Sequence, residues 1–212
     1  MRYWESLSIR KEKIRIVAAS YLNDNKKRYK YCKSFISSVL AQTYENFELI
    51  IVHDGPINDC EEKTSLLNFI ESDSRIKIVE TENKLGKFGY PHRKKYAFID
   101  ENFDWLIYTN DDNYYVPVAL ESLIATAQEY SKKIVFSNMI SSHTRWGILE
   151  THFVKSRVDL GCLFFNKNII KNFDFDLSDD CFEADGKLVE EIGKSVDRND
   201  IIKINNYLFI HN

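Results

Sequence analysis

Three short runs, Ile14–Ser20, Phe47–Val52 and Trp105–Thr109, are dominated by apolar, β-branched and aromatic residues and show no polar alternation. Strands of that make-up are buried on both faces of a sheet, which restricts the chain to a layered α/β architecture. Between the first two, Cys32, Phe35, Ile36, Val39 and Leu40 recur at helical spacing, so Tyr29–Gln42 reads as an amphipathic helix. Glu61–Ser72 reads as a second helix and Ile76–Glu80 as the next strand. This βαβαβ order requires a mostly parallel central sheet with right-handed crossovers, flanked by helices. Pro91 opens a helix carrying His92, Arg93, Lys94 and Lys95, and Pro117 starts another with Leu120, Leu123, Ile124 and Ala127 inward. Ile134–Asn138, Asp159–Phe165 and Tyr207–Ile210 are further strands, and Gly161 marks a close approach in the second of these. A short helix runs through Val189, Ile192 and Gly193.

Ligands of open α/β sheets sit beyond the carboxyl ends of the strands. There the third run ends in Asn110, Asp111, Asp112 and Asn113. Two adjacent carboxylates repel each other by roughly 1–4 kcal/mol at surface-like dielectrics, and a divalent cation such as Mg or Mn reverses that cost. A plain Asn/Asp turn is the alternative. Ala19 and Ser20 end the first strand in small side chains, which leaves room for a planar group to approach the backbone. The Lys26–Lys30 run suits either a solvated helix face or phosphate contacts. The cations at the start of the helix opened by Pro91 favour an anion there.

With 212 residues, the chain reads as a single domain, 1–212. A net charge of −3 gives no global basic field and counts against nucleic acid. No apolar run is long enough for a transmembrane segment and residues 1–13 lack a signal-peptide core, so a cytoplasmic protein is expected, compatible with peripheral membrane contact. The four cysteines show no Cys-x-x-Cys spacing, in keeping with reduced thiols.

The run Gln42-Thr43-Tyr44 followed by Phe47-Glu48-Leu49-Ile50-Ile51-Val52-His53-Asp54-Gly55 resembles the opening of family 2 glycosyltransferases of the GT-A fold. The resemblance extends over most of residues 14–212. It implies a donor half, 14–117, that binds a nucleotide sugar (UDP-linked by analogy) and an acceptor half, 118–212. By position it places Ala19, Ser20 and Tyr21 beside the nucleobase, Asp54 on the base or ribose, and Arg93 near the phosphates. His53 stands where the family has an acid. The Asp-x-Asp signature falls on Asn110-Asp111-Asp112, with Asp112 as the metal ligand and Asn110 in place of the first acid. Glu183-Ala184-Asp185-Gly186 fits the helix opening that carries the catalytic base, Asp185. A C-terminal His that reaches back to the metal corresponds to His211, which without the resemblance reads as a solvated chain end. Imidazole among the ligands suits Mn better than Mg.

The expected reaction is metal-dependent transfer with inversion to a hydroxyl of a polysaccharide, lipid-linked glycan or protein. Trp146, Asp159 and Gly161 are candidates for the acceptor side, and Trp146 is equally a packing residue. Two other readings use the same residues. A sugar nucleotidyltransferase would need a glycine-rich loop after the first strand, and Ala18–Asn25 has no glycine. A degenerate domain that binds nucleotide or glycan without turnover fits the substitutions at His53 and Asn110.

Overall fold

A computed structural model describes residues 11–22, 25–175 and 183–212. The strands are β1 (Ile14–Ser20), β2 (Phe47–His53), β3 (Ile76–Glu80), β4 (Trp105–Asn110), β5 (Tyr114–Tyr115), β6 (Ile134–Ser141), β7 (Gly147–Leu149), β8 (Leu163–Asn166) and β9 (Ile201–His211). The α-helices are α1 (Lys26–Leu40), α2 (Glu61–Ile70), α3 (Tyr90–Ala97), α4 (Ala119–Glu129), α5 (Lys167–Ile170) and α6 (Ala184–Ser195). Among the described residues the strands form one sheet in the order β3-β2-β1-β4-β8-β6-β9-β5, with β7 on β6.

The parallel expectation holds for β3-β2-β1-β4. Beyond β4 the sheet is mixed: β8 runs antiparallel to both β4 and β6, whereas β6 and β9 are parallel. Strand periodicity divides the buried residues between two faces. Ile14, Ile16 and Ala18 pack with Cys32, Phe35, Ile36 and Val39 of α1 and with Leu120, Leu123 and Ile124 of α4. Val17, Ile50, Leu106 and Tyr108 face the other way, toward Tyr90 and Ala97 of α3 and Leu188, Val189 and Ile192 of α6. The buried Arg15 anchors the far end of α3, donating to Glu48 Oε1 (2.8 Å) and to the Ala97 carbonyl (2.7 Å).

Local differences from the sequence expectation have physical causes. Helix α1 starts at Lys26, where the Asn25 side chain accepts from the Lys27 N–H, and Lys26, Lys27 and Lys30 lie on its solvated face. The segment Asp159–Phe165 is a strand only from Leu163. Before it, Leu160–Cys162 winds into a 3₁₀ turn capped by Asp159, whose Oδ1 accepts the Gly161 N–H at 2.7 Å. Strand β9 begins six residues ahead of Tyr207, and bulges opposite Ser137–Met139 absorb its extra residues.

Candidate active site

The parallel strands end level with one another. Ser20 pairs with His53 and Ala19 with Asn110, and the ladder runs one residue further through Asp54 N–H to Ser20 O (3.0 Å) and Asp111 N–H to Ala19 O (3.2 Å). A cleft of about 370 Å³ opens over these ends and is lined by Ala19, Ser20, Tyr21, Asp54, Asn110, Asp111 and Asp112. Arg28, from the Lys26–Lys30 run read as a solvated face or a phosphate contact, also lines it, as do Lys84 and Phe88, which the sequence reading did not single out. Gly86 and Gly89, two of only seven glycines, were the available signal for the loop that carries Lys84 and Phe88.

The adjacent acids lie in the turn that follows β4 and have separate environments, Asp111 buried and Asp112 half-buried. Asp111 turns inward and its Oδ2 accepts the Ser20 hydroxyl at 2.5 Å. Burial pushes its carboxyl up to about 7, against the lowering effect of that bond. Asp112 stays in the cleft; burial raises its pKa, and His211 pulls the other way.

His211 arrives there through β9. Tyr114 and Tyr115 of β5 pair with Ile210 and Phe209, and Asn212 N–H donates to Asn113 Oδ1 at 3.2 Å. The chain end is thereby laid beside the acidic turn. His211 Nε2 lies 3.6 Å from Asp159 Oδ2, and its ring centroid is 4.9 Å from that of His143. Its Nδ1 is buried without a hydrogen-bond partner, an orphan that a cation would satisfy. Gly161 permits this arrangement: a Cβ there would sit 2.3 Å from the Phe209 ring. Among the described residues no three His, Cys, Asp or Glu side chains converge tightly enough to hold an ion alone.

His53 has a structural task. Its Nε2 accepts the Leu22 N–H (3.0 Å), so the proton sits on Nδ1, which faces the Gly55 carbonyl at 2.8 Å. Burial lowers its pKa, in keeping with that neutral tautomer. Asp54 accepts from Leu85 N–H (2.7 Å) and Gly86 N–H (2.8 Å) and pairs with His92 Nε2 (2.8 Å). The loop so held turns left-handed from Gly86 to Gly89, with φ of 66°, 50°, 54° and 74°, and Lys87 and Phe88 bear the strain.

A second pocket of about 410 Å³ adjoins the cleft through Phe88 and Asn110 and holds Arg93, Asp159, Asp185 and His211. The buried Arg93 donates to Asn110 Oδ1, its Nε has no partner, and its guanidinium lies 4.7 Å from the Tyr90 ring centroid. Burial lowers its pKa. Asp185 opens α6; burial raises its carboxyl, opposed chiefly by the Gly186 N–H at 2.7 Å, and Asp159 nearby pushes it further up. It is therefore a stronger base than an ordinary aspartate. Glu183 is tied to Lys155 at 2.6 Å. Asp179 and Asp180, the neighbouring acids that rival Asp185 in the sequence, lie outside the described residues. Trp146 is not a packing residue: it stands 56% exposed on a turn after β6, with φ 63°.

Residues 25–181 match the profile of Glycosyl transferase family 2. The chain belongs to that family. Among curated relatives, Glycosyltransferase GlyA of Streptococcus pneumoniae is 24% identical over 143 residues, covering 68% of this chain and 19% of GlyA. Glycosyltransferase GlyG of the same organism is 26% identical over 109 residues, covering 51% of this chain and 35% of its own length. This chain thus spans about a third or less of either. Staphylococcus aureus TarS 1-349 shares the fold, with a TM-score of 0.74 at 13% identity over 94% of this chain and 60% of that one. Mannosyltransferase PcManGT of Pyrobaculum calidifontis, solved with GDP-Man and Mn²⁺, gives 0.65 at 12% identity over 94% and 56%. The architecture is that of GT-A glycosyltransferases. His53, read from the resemblance as a replaced acid, bonds the Leu22 N–H beyond β1, and Asn110 accepts from Arg93.

Proposed function

We propose that this family 2 domain transfers a sugar, with inversion, from a nucleotide sugar to an acceptor hydroxyl. The observation that carries this reading is the pair of adjoining pockets. One lies over the strand ends with Asp112; the other presents Asp185 and His211. TarS has been solved with UDP-GlcNAc and PcManGT with GDP-Man, which supports a nucleotide-sugar donor; UDP is our choice between the two. The acceptor belongs to the hydroxyl-bearing glycans, free, lipid-linked or on protein.

The donor set fits a divalent cation. Asp112 and His211 would hold it, the unpartnered Nδ1 of His211 being the observation in favour, and phosphate oxygens would complete the shell. Mn²⁺, or Mg²⁺ less favourably, supplies positive charge against the departing diphosphate. The remaining work falls to the chain's own groups. Ala19, Ser20 and Tyr21 bound the nucleoside end of the cleft, and Arg93 holds Asn110 at the junction of the two pockets. Asp185 accepts the proton of the acceptor hydroxyl as that oxygen bonds to the anomeric carbon. The bond from that carbon to the phosphate oxygen breaks, and its electron pair leaves with the nucleoside diphosphate. Such a base contributes about 10²–10⁴ in rate.

The decisive assay is hydrolysis or transfer across a panel of nucleotide sugars, with and without Mn²⁺. Asp185→Asn is expected to lose transfer by about that factor while its donor affinity stays near wild type. Normal turnover by this variant would refute the assignment. Nucleotide binding with no turnover of any donor would favour the degenerate binding domain instead. Release of pyrophosphate from a nucleoside triphosphate would point to a nucleotidyltransferase.

A further inference from the structure

A residue at the end of β2 in this family is expected to read the nucleobase or ribose, and Asp54 occupies that place. Its surroundings assign it other work. A carboxylate has about four lone-pair directions. At Asp54 three are taken: Oδ1 by Leu85 N–H (2.7 Å) and His92 Nε2 (2.8 Å), Oδ2 by Gly86 N–H (2.8 Å). These bonds hold its pKa below the ordinary aspartate value even though burial pushes the other way. Most of the carboxylate's capacity is therefore committed to the protein itself, although one direction stays open toward the cleft that Asp54 lines.

What it holds is the roof of the donor cleft. The residue before Leu85 is Lys84, whose Nζ reaches the Tyr21 hydroxyl (2.6 Å) and lies 4.0 Å from the Tyr21 ring centroid. After Gly86 come Lys87 and Phe88 in left-handed backbone, and Phe88 stands on the boundary between the two pockets. Gly89 then passes so close to β1 that a Cβ would sit 2.5 Å from that of Ala19. Two residues held in left-handed φ cost free energy, so something must over-determine the turn. The Asp54 bonds at its entrance and the His92 bond at its exit do so. His92 precedes Arg93 on α3, so the same carboxylate also steadies the helix that positions Asn110.

We infer that Asp54 acts on the nucleotide chiefly as a positioning residue, fixing the 84–89 loop over the donor cleft, and not chiefly by reading the base. This rests on the nucleotide-sugar reading above. Loosening a loop that roofs the cleft without base-specific contacts weakens every nucleotide by about one factor.

The test is the affinity of UDP, CDP, GDP and ADP in the presence of Mn²⁺, measured by calorimetry on wild type and Asp54→Asn, with hydrogen exchange followed at Leu85–Gly89. An Asn keeps one acceptor and loses the charge, so all four affinities should fall together by roughly 10-fold or more. The Leu85 and Gly86 amides should lose protection. Gly86→Ala leaves Asp54 intact and meets no neighbour, but it is strained at φ 66° and ψ −131°. It should reproduce the uniform loss and carries the test if Asp54→Asn fails to fold. A changed order of preference among the four bases, with unchanged exchange at Leu85 and Gly86, would overturn the inference and leave the function standing. Wild type that binds none of the four would sink both.

Discussion

Replacing Asp111 by Asn should stabilise the protein, in a way that depends on pH. Its side chain is buried and hydrogen-bonded to Ser20, and its carboxyl is pushed from 3.8 up to about 7. Below about pH 4 the folded and unfolded chains both carry the proton, and the residue costs nothing. As pH rises toward 7 the unfolded chain releases the proton and the folded one keeps it, so stability falls by about 1.4 kcal/mol per pH unit. Above the folded value the full cost is present. A shift of about three units corresponds to an upper bound of about 4 kcal/mol, against a total stability of about 5–15 kcal/mol. Asn keeps the shape and an oxygen for the Ser20 hydroxyl, and it never ionises. Urea unfolding from about pH 4 to about pH 8 should give matching stabilities at the acid end and an advantage for the variant of about 2–4 kcal/mol at the alkaline end. At about 2–4 °C per kcal/mol, the melting temperature should rise by several degrees at least. Parallel curves for the two proteins would refute the reasoning. A cation bound beside it at Asp112 stabilises the ionised form, so Mn²⁺ should narrow the gap.

Gly161→Ala should destabilise by about 1–3 kcal/mol, because its methyl meets the Phe209 ring at 2.3 Å and displaces the end of β9; the same variant should lose Mn²⁺ affinity as His211 moves, and wild-type stability by urea titration would contradict this. The rate of transfer should climb with pH on a limb set by Asp185, whose raised pKa puts the midpoint above the ordinary aspartate value of about 4. A pH–rate profile already flat at about pH 4 would remove Asp185 from that limb.

How much of this was legible in the residues depends on what kind of neighbour each one has. β1, β2 and β4 are covered on both faces, so their side chains alone declare them, and their common end follows from the parallel βαβ order. β9 is half-exposed along Ile201–Asn206, and Lys203, Asn205 and Asn206 interrupt its apolar pattern, so only its buried stretch could be read. β5 and β7 hold two and three residues, too few for any periodicity to show. The direction of β8 is set by its partners β4 and β6, and nothing within Leu163–Asn166 encodes it.

The same division runs through the site. Asp111 and Asp112 were visible as a pair, but what separates them is the turn after β4, which brings the Asp111 carboxyl against Ser20 and leaves Asp112 half-buried in the cleft. The task of Asp54 depends on two amides more than thirty positions away, and the place of His211 depends on a two-residue strand pairing with the chain end. Local chemistry therefore nominated the candidates, whereas register decided what each one touches. The departures from the family pattern illustrate the point. Judged as letters, His53 and Asn110 are lost acids and argue for a degenerate domain. Judged by their contacts, His53 joins the ends of β1 and β2 as a neutral imidazole, and Asn110 offers an uncharged oxygen to a buried guanidinium. Neither contact removes Asp112, Asp185 or His211 from the pockets, so the substitutions by themselves carry little weight against catalysis.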